Sequence, residues 1–133
     1  MSGPLVYVDV SEVREGSLDR LRGAIEELAE FIEANVPEVL AYNVFLSQDG
    51  TEMTVVHVHA GPDSLDRHLI AGGPAFRPFA DLLTLKSITV YGEPSERAIG
   101  LLYEKAEMLG SGDVTVLRPR AGFSRLEPIA KLD

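Results

Sequence analysis

The side chains best suited to chemistry are three histidines, two tyrosines, an asparagine and an early aspartate. His57 and His59 stand two residues apart. On a strand that spacing puts both rings on one face. A pair of this kind can bind a metal or bridge a subunit interface through hydrogen bonds. Asp9 would share the sheet face, but no convincing third ligand is evident, so the interface is the favoured reading. His68 follows Arg67 in a segment of helical spacing. Its imidazole titrates near neutrality and can accept a proton or hydrogen-bond a phenolic ligand; a surface or helix-end histidine would look the same. Tyr7, Asn43 and Tyr91 have polar tips that can orient an oxygenated ligand or pack at an interface with satisfied hydroxyls. Asp9 needs a partner if buried, or its pKa rises; reaching solvent at the strand end is the expected outcome. Phe45 and Phe76 can pack on a ring, although Phe76 and Phe79 are first of all core candidates.

Other chemistries are excluded. The chain has no cysteine, which removes thiolate zinc sites, iron–sulfur clusters and a Cys nucleophile. There is no glycine-rich phosphate loop of recognised spacing and no G-x-S-x-G nucleophile motif. The net charge of −9, from 12 basic and 21 acidic residues, disfavours nucleic acid and polybasic membrane contact. Arg118, Arg120 and Arg125 form a small basic cluster that either meets acids of a partner or lies in a solvated tail. MSGPLVYVDVSE lacks the basic start and apolar run of a signal peptide. A soluble cytoplasmic protein is expected, with no organic cofactor and no metal.

Positioning those groups requires a sheet. Leu5–Val10 reads LVYVDV and is a predicted strand. Leu18, Leu21, Ile25, Leu28 and Ile32 recur at helical spacing, with Ser17 as cap and Pro37 as terminator. Residues 39–47 and 51–60 form a hairpin around Gln48-Asp49-Gly50. Asp63 or Ser64 caps a short helix over 65–70, Gly72-Gly73-Pro74 breaks it, and a second piece runs from about 75 to 83. Residues 85–91 form the fourth strand. The order is the ferredoxin-like βαββαβ, an α+β two-layer sandwich. Residues 1–93 make this domain. Residues 94–133 form an extension with a helix over 95–109, whose apolar face is Ile99, Leu102, Tyr103 and Ala106, and a strand over 113–117. The extension is expected to pack across the dimer, with Val114 and Val116 pairing onto a sheet edge of the partner; the alternative is that it folds back on its own domain.

Alternation divides the sheet into two faces. One carries Val6, Val8, Val10, Tyr42, Val44, Val56, Val58, Ile88 and Val90 and is the expected seat of the helices. The other carries Tyr7, Asp9, Asn43, Phe45, His57, His59 and Tyr91. It mixes aromatic and polar groups, as partner surfaces and ligand pockets do. A homodimer through this second face is expected.

The βαββαβ order and the segment SLDRHLIAGGPAFRPFADLLT (64–84) resemble the antibiotic biosynthesis monooxygenase-like dimeric α+β barrels over about residues 4–93. His68, the Gly72-Gly73-Pro74 break and Phe76 carry the likeness. It implies a dimer with a cavity between sheet and helices in each subunit. It also implies, among several activities, cofactor-independent monooxygenation of a small aromatic or enolisable molecule. On that reading His68 is the catalytic base or anion partner, and Tyr7, Asn43, Phe45, Phe76 and Tyr91 bind substrate. The haem-degrading branch uses an Asn on the first strand and a Trp in the second helical region. Here stand Tyr7 and Asp9, and the chain has no Trp. The alternative is a non-catalytic dimeric module that binds a small apolar molecule or a protein partner.

Overall fold

The computed structural model describes residues 3–110 and 112–126. Its elements are β1 (Leu5–Val13), α1 (Leu18–Asn35), β2 (Val39–Leu46), β3 (Glu52–His59) and α2 (Pro62–Phe76). A 3-10 turn follows (Arg77–Asp81), then β4 (Leu83–Tyr91), α3 (Glu96–Met108) and β5 (Asp113–Leu117). The sheet order is β2-β3-β1-β4-β5. The first four strands pair antiparallel. The βαββαβ sandwich expected from the sequence is present, with one strand more in the sheet.

That fifth strand lies parallel to β4, setting Val114 opposite Ile88 and Val116 opposite Val90. The extension thus returns to the sheet edge of its own chain, which corrects the expectation that Val114 and Val116 pair across a dimer: β4 offers a free edge within reach of α3. Residues 127–133 lie outside the described residues. Among those described, no helix is long and apolar enough to cross a membrane.

The helices bury one face of the sheet. Leu21, Leu28 and Ile32 of α1, Leu65, Leu69 and Phe76 of α2, and Ala98, Leu102 and Ala106 of α3 pack on Leu5, Met53, Val55, Leu83, Ile88 and Val90. Here the expected division of faces is corrected. Residues directly opposite in register share a face. Tyr7 stands opposite His57 and Val90, and Tyr42 also stands opposite His57. The covered face therefore carries Tyr7, Asp9, Ser11, His57 and His59 with Tyr42, Val44, Ile88 and Val90. Val8 stands opposite Val56 and Thr89, and Asn43 also opposite Val56. The open face carries these with Val6, Val10, Phe45, Val58 and Tyr91. Alternation assigns faces within a strand, but the phase between strands comes from register. For β1 and β3 the phase is opposite to that expected. A dimer surface built from Tyr7, Asn43, Phe45 and His57 together is thereby ruled out, since only Asn43 and Phe45 lie on the open side.

A second correction concerns α2. The helix runs unbroken through Gly72-Gly73-Pro74 to Phe76. Pro74 removes one bond from the helical ladder, and the tighter 3-10 turn begins only at Arg77. Gly72 is required by packing: a Cβ there would meet Phe76 Cζ at 2.7 Å. The glycine makes room for an aromatic ring. The N-terminus of α2 is Gly61 followed by Pro62, which frees the Ser64 hydroxyl for another partner.

Candidate active site between sheet and helices

Period-two alternation sends Tyr7 and Asp9 of β1 to the covered face, and the pairing with β3 sets His57 beside Tyr7. From the opposite side α3 lowers Lys105 onto them. The Tyr7 hydroxyl donates to Asp9 Oδ2 at 2.6 Å. Lys105 Nζ donates to Tyr7 Oη at 2.8 Å and lies 3.7 Å from Asp9 Oδ2. The amine also sits 4.0 Å from the centre of the Phe76 ring, a cation–π distance. Tyr7, Asp9 and Lys105 are 0%, 4% and 9% exposed, so all three act in a medium of low polarity. Burial raises the Asp9 carboxyl above the usual carboxylate range, against the opposing pull of Lys105. Burial likewise lowers the Lys105 amine, against the pull of Asp9, and raises the Tyr7 phenol.

The histidines form the adjoining half. His57 stacks on Tyr7 at a ring separation of 3.8 Å. His57 Nδ1 shares a hydrogen with His59 Nε2 at 2.5 Å, and His59 Nδ1 one with Ser64 Oγ at 2.7 Å. His68, on α2, lies 4.4 Å from His57 and 5.7 Å from Phe76, centre to centre. Desolvation pushes His57 well below its ordinary value, His59 down to about 4 and His68 to about 2. The rings are therefore neutral imidazoles at neutral pH. Among the described residues no group of three His, Asp or Glu is arranged to hold a metal. His57 and His59 sit inside one subunit's layer, so the expectation of a histidine-bridged dimer interface is corrected.

Four buried polar atoms have no partner among the described residues: Asp9 Oδ1, His57 Nε2, and both ring nitrogens of His68. Such atoms are costly unless something completes them. A cavity of about 30 Å³ reaches Asp9 of this set but neither His57 nor His68, and is walled by Asp9, Ser11, Tyr42, Phe76, Phe79 and Lys105 among others. A groove of about 690 Å³ runs between α2 and α3 and is lined by Leu69, Pro74, Leu101 and Met108 with Phe76 and Lys105. The last two residues line both spaces, so they form the partition between groove and interior.

Three residues expected at the site come together here: His68, Tyr7 and Phe76. Three do not. Asn43 and Phe45 lie on the open face, and Tyr91 is exposed at the end of β4 on that same side. Sequence reasoning missed Lys105. A signal was there: Ala98, Leu102, Lys105 and Leu109 repeat at helical spacing and are all buried, so the lysine occupies a core position of α3. Tyr103, expected on the packed face, is 54% exposed.

No family model and no curated protein matches the sequence. Solved structures do match by shape. MupZ from Pseudomonas fluorescens has 20% identity and a TM-score of 0.72, over 94% of this chain and 91% of its own. SnoaB from Streptomyces nogalater, a cofactor-independent oxygenase, has 16% identity and a TM-score of 0.59, over 70% of this chain and 95% of its own. A protein from Chloroflexus aurantiacus described as a candidate antibiotic biosynthesis monooxygenase has 16% identity and a TM-score of 0.57, over 70% of this chain and 95% of its own. The match with MupZ covers too much of the chain to leave out the segment after β4. This chain has the fold of the antibiotic biosynthesis monooxygenase-like proteins.

Proposed function

We propose that this chain is a cofactor-independent monooxygenase-like enzyme for a small aromatic or enolisable molecule, held between sheet and helices, and that it works as a cytoplasmic homodimer. The observation that supports the reading is the unpartnered Asp9 Oδ1 beside an apolar interior space, next to a buried cluster whose His57 and His68 nitrogens are also unpartnered. In such a reaction the substrate supplies the electrons. Loss of a proton from a phenol or enol gives an anion that reacts with oxygen. The protein has to remove the proton, hold the anion and exclude water. Asp9, whose carboxyl is raised by burial, is suited to take the proton. His68 presents a free neutral imidazole and serves as the hydrogen-bond partner of the substrate oxygen. Tyr7 positions Asp9, and Phe76 packs on the ring. The partner subunit covers the open face around Val8, Val56 and Phe45. The absence of cysteine suits a reducing compartment.

The test is oxygen uptake with enolisable aromatic ketones such as anthrone and 2-tetralone, after chelator treatment. Uptake above the uncatalysed rate that falls at least about a hundredfold in Asp9→Asn supports the enzyme. A second reading is a non-catalytic module that binds its ligand in the α2–α3 groove of about 690 Å³, since the interior space of about 30 Å³ has room only for water. It predicts background oxygen uptake together with saturable binding of the same ketones.

A further inference from the structure

We propose that Lys105 is a nucleophile that captures a carbonyl-bearing ligand as an imine at the partition between the α2–α3 groove and the interior. The inference rests on the reading of this space as a ligand site, and adds to it the class of ligand and the bond that forms.

The hydrogen-bond chain connects the charged Lys105–Asp9 pair to a neutral form with a free amine. Lys105 Nζ donates to the Tyr7 oxygen, and Tyr7 donates to Asp9. The two bonds point the same way, so a shift of both hydrogens along the chain carries one proton from ammonium to carboxylate. The result is a free amine, an intact phenol and a carboxylic acid. Burial disfavours the ammonium and the carboxylate alike, against the attraction between them, and so keeps the neutral form within reach. Desolvation in an apolar setting is one established way to activate a lysine. The charged groups of the outer groove are Arg77, Glu104 and Glu107, and the rings at cation–π distance from the amine, Phe76 and Tyr7, hold its charged form until the proton passes to Asp9.

The groove supplies the approach. Leu69, Pro74, Leu101 and Met108 offer an apolar bed for the body of a ligand, while a carbonyl at its head reaches the amine. The amine nitrogen adds to the carbonyl carbon, and the oxygen takes the proton returned from Asp9 through Tyr7. The resulting carbinolamine then loses water: the nitrogen gives up one of its two hydrogens and the hydroxyl leaves with it. One aldehyde or ketone, one amine and the Asp9 proton become one protonated imine and one water, with Asp9 left as carboxylate and no oxidant needed. The protonated imine acidifies the neighbouring C–H, which is the activation an enolisable substrate needs.

The sequence makes the test clean, because it has only three lysines, Lys86, Lys105 and Lys131. The full-length protein is treated at pH 7 with 2-naphthaldehyde and cyanoborohydride, and the adducts are mapped by peptide mass. Lys105, though buried, is expected to be labelled at least about tenfold faster than Lys86, whose side chain is 51% exposed. Tyr7→Phe is expected to slow Lys105 labelling and leave Lys86 labelling unchanged. Labelling of Lys105 no faster than that of Lys86 overturns the proposal. Binding of 2-naphthol, which has no carbonyl, is measured in parallel by fluorescence. If naphthol binds in the groove while Lys105 stays unlabelled, the imine is wrong and the ligand site stands. If neither occurs, both fall.

Discussion

The two faces of the sheet invert the usual arrangement. The face under the helices carries Tyr7, Asp9, Ser11, His57 and His59, all at most 4% exposed. The face that no helix covers carries Val6, Val8, Val10, Val56 and Val58. A protein optimised for stability alone would exchange the two sets, because buried polar groups cost free energy and buried valines gain it. The difference teaches where each face finds its partner. On the function proposed above, the covered side spends stability on a polar interior that a ligand would complete, and the open side keeps apolar surface that a second copy would cover.

The comparison breaks most severely if Lys105 is removed. Lys105→Ala leaves the Asp9 carboxylate buried without its cation and is expected to cost about 3–5 kcal/mol, read by denaturant unfolding. Asp9→Asn combined with Lys105→Met should recover most of that loss. The exposed Lys86–Glu52 pair, at 3.3 Å, is the control: Lys86→Ala should change stability by less than about 1 kcal/mol.

Acid weakens the covered face next. The folded values of His57, His59 and His68 lie below the ordinary 6.5, so the neutral rings favour the fold. Their contribution is complete above pH 6.5 and is lost as pH falls, through about 4 for His59 and about 2 for His68. His59 alone accounts for about 3 kcal/mol at the end of its transition. The raised Asp9 carboxyl acts in the opposite sense, gaining as pH falls, and one carboxyl is expected not to offset three imidazoles. Unfolding free energies at pH 7 and pH 4.5 check this. Equal values would show that the histidines are hydrated.

The open face gives the smallest change in the fold and the clearest change in assembly. Phe45 is 54% exposed, so Phe45→Glu should alter the stability of the isolated subunit by no more than about 0.5 kcal/mol. It should nonetheless convert a dimer to a monomer in light scattering, because it would bury a charge without a partner. A variant that stays dimeric would locate the interface elsewhere.

Much of this architecture was legible because it is local. Helical spacing set α1, the Gln48-Asp49-Gly50 turn set the hairpin, and alternating residues set the strands. The errors arose where long-range information decides. A strand's own pattern shows which residues share a face, but whether Tyr7 lies with Val8's neighbours or with Tyr42 depends on register between β1, β3 and β2. Buried valines were the natural guess, and the register reverses it. Gly72 read as a helix breaker because its reason, the Phe76 ring, is visible only in three dimensions. Asp9 was expected to reach solvent because its cation arrives from a residue 96 positions away in the chain.

That separation bears on how chemistry attaches to the fold. Lys105 lies on a helix that follows β4, outside the βαββαβ unit, whereas Tyr7, Asp9 and the histidines lie within it. The amine and the groups it meets thus come from different stretches of the chain, joined in one core. A protein of this fold that stops at its fourth strand has no α3 to bring an amine to the first strand. An aspartate at the position of Asp9 would then have to do without, and a neutral residue would suit the place better. The side chain two places after the first tyrosine therefore serves as a marker: its charge should track the presence of the appended helix from one chain to the next.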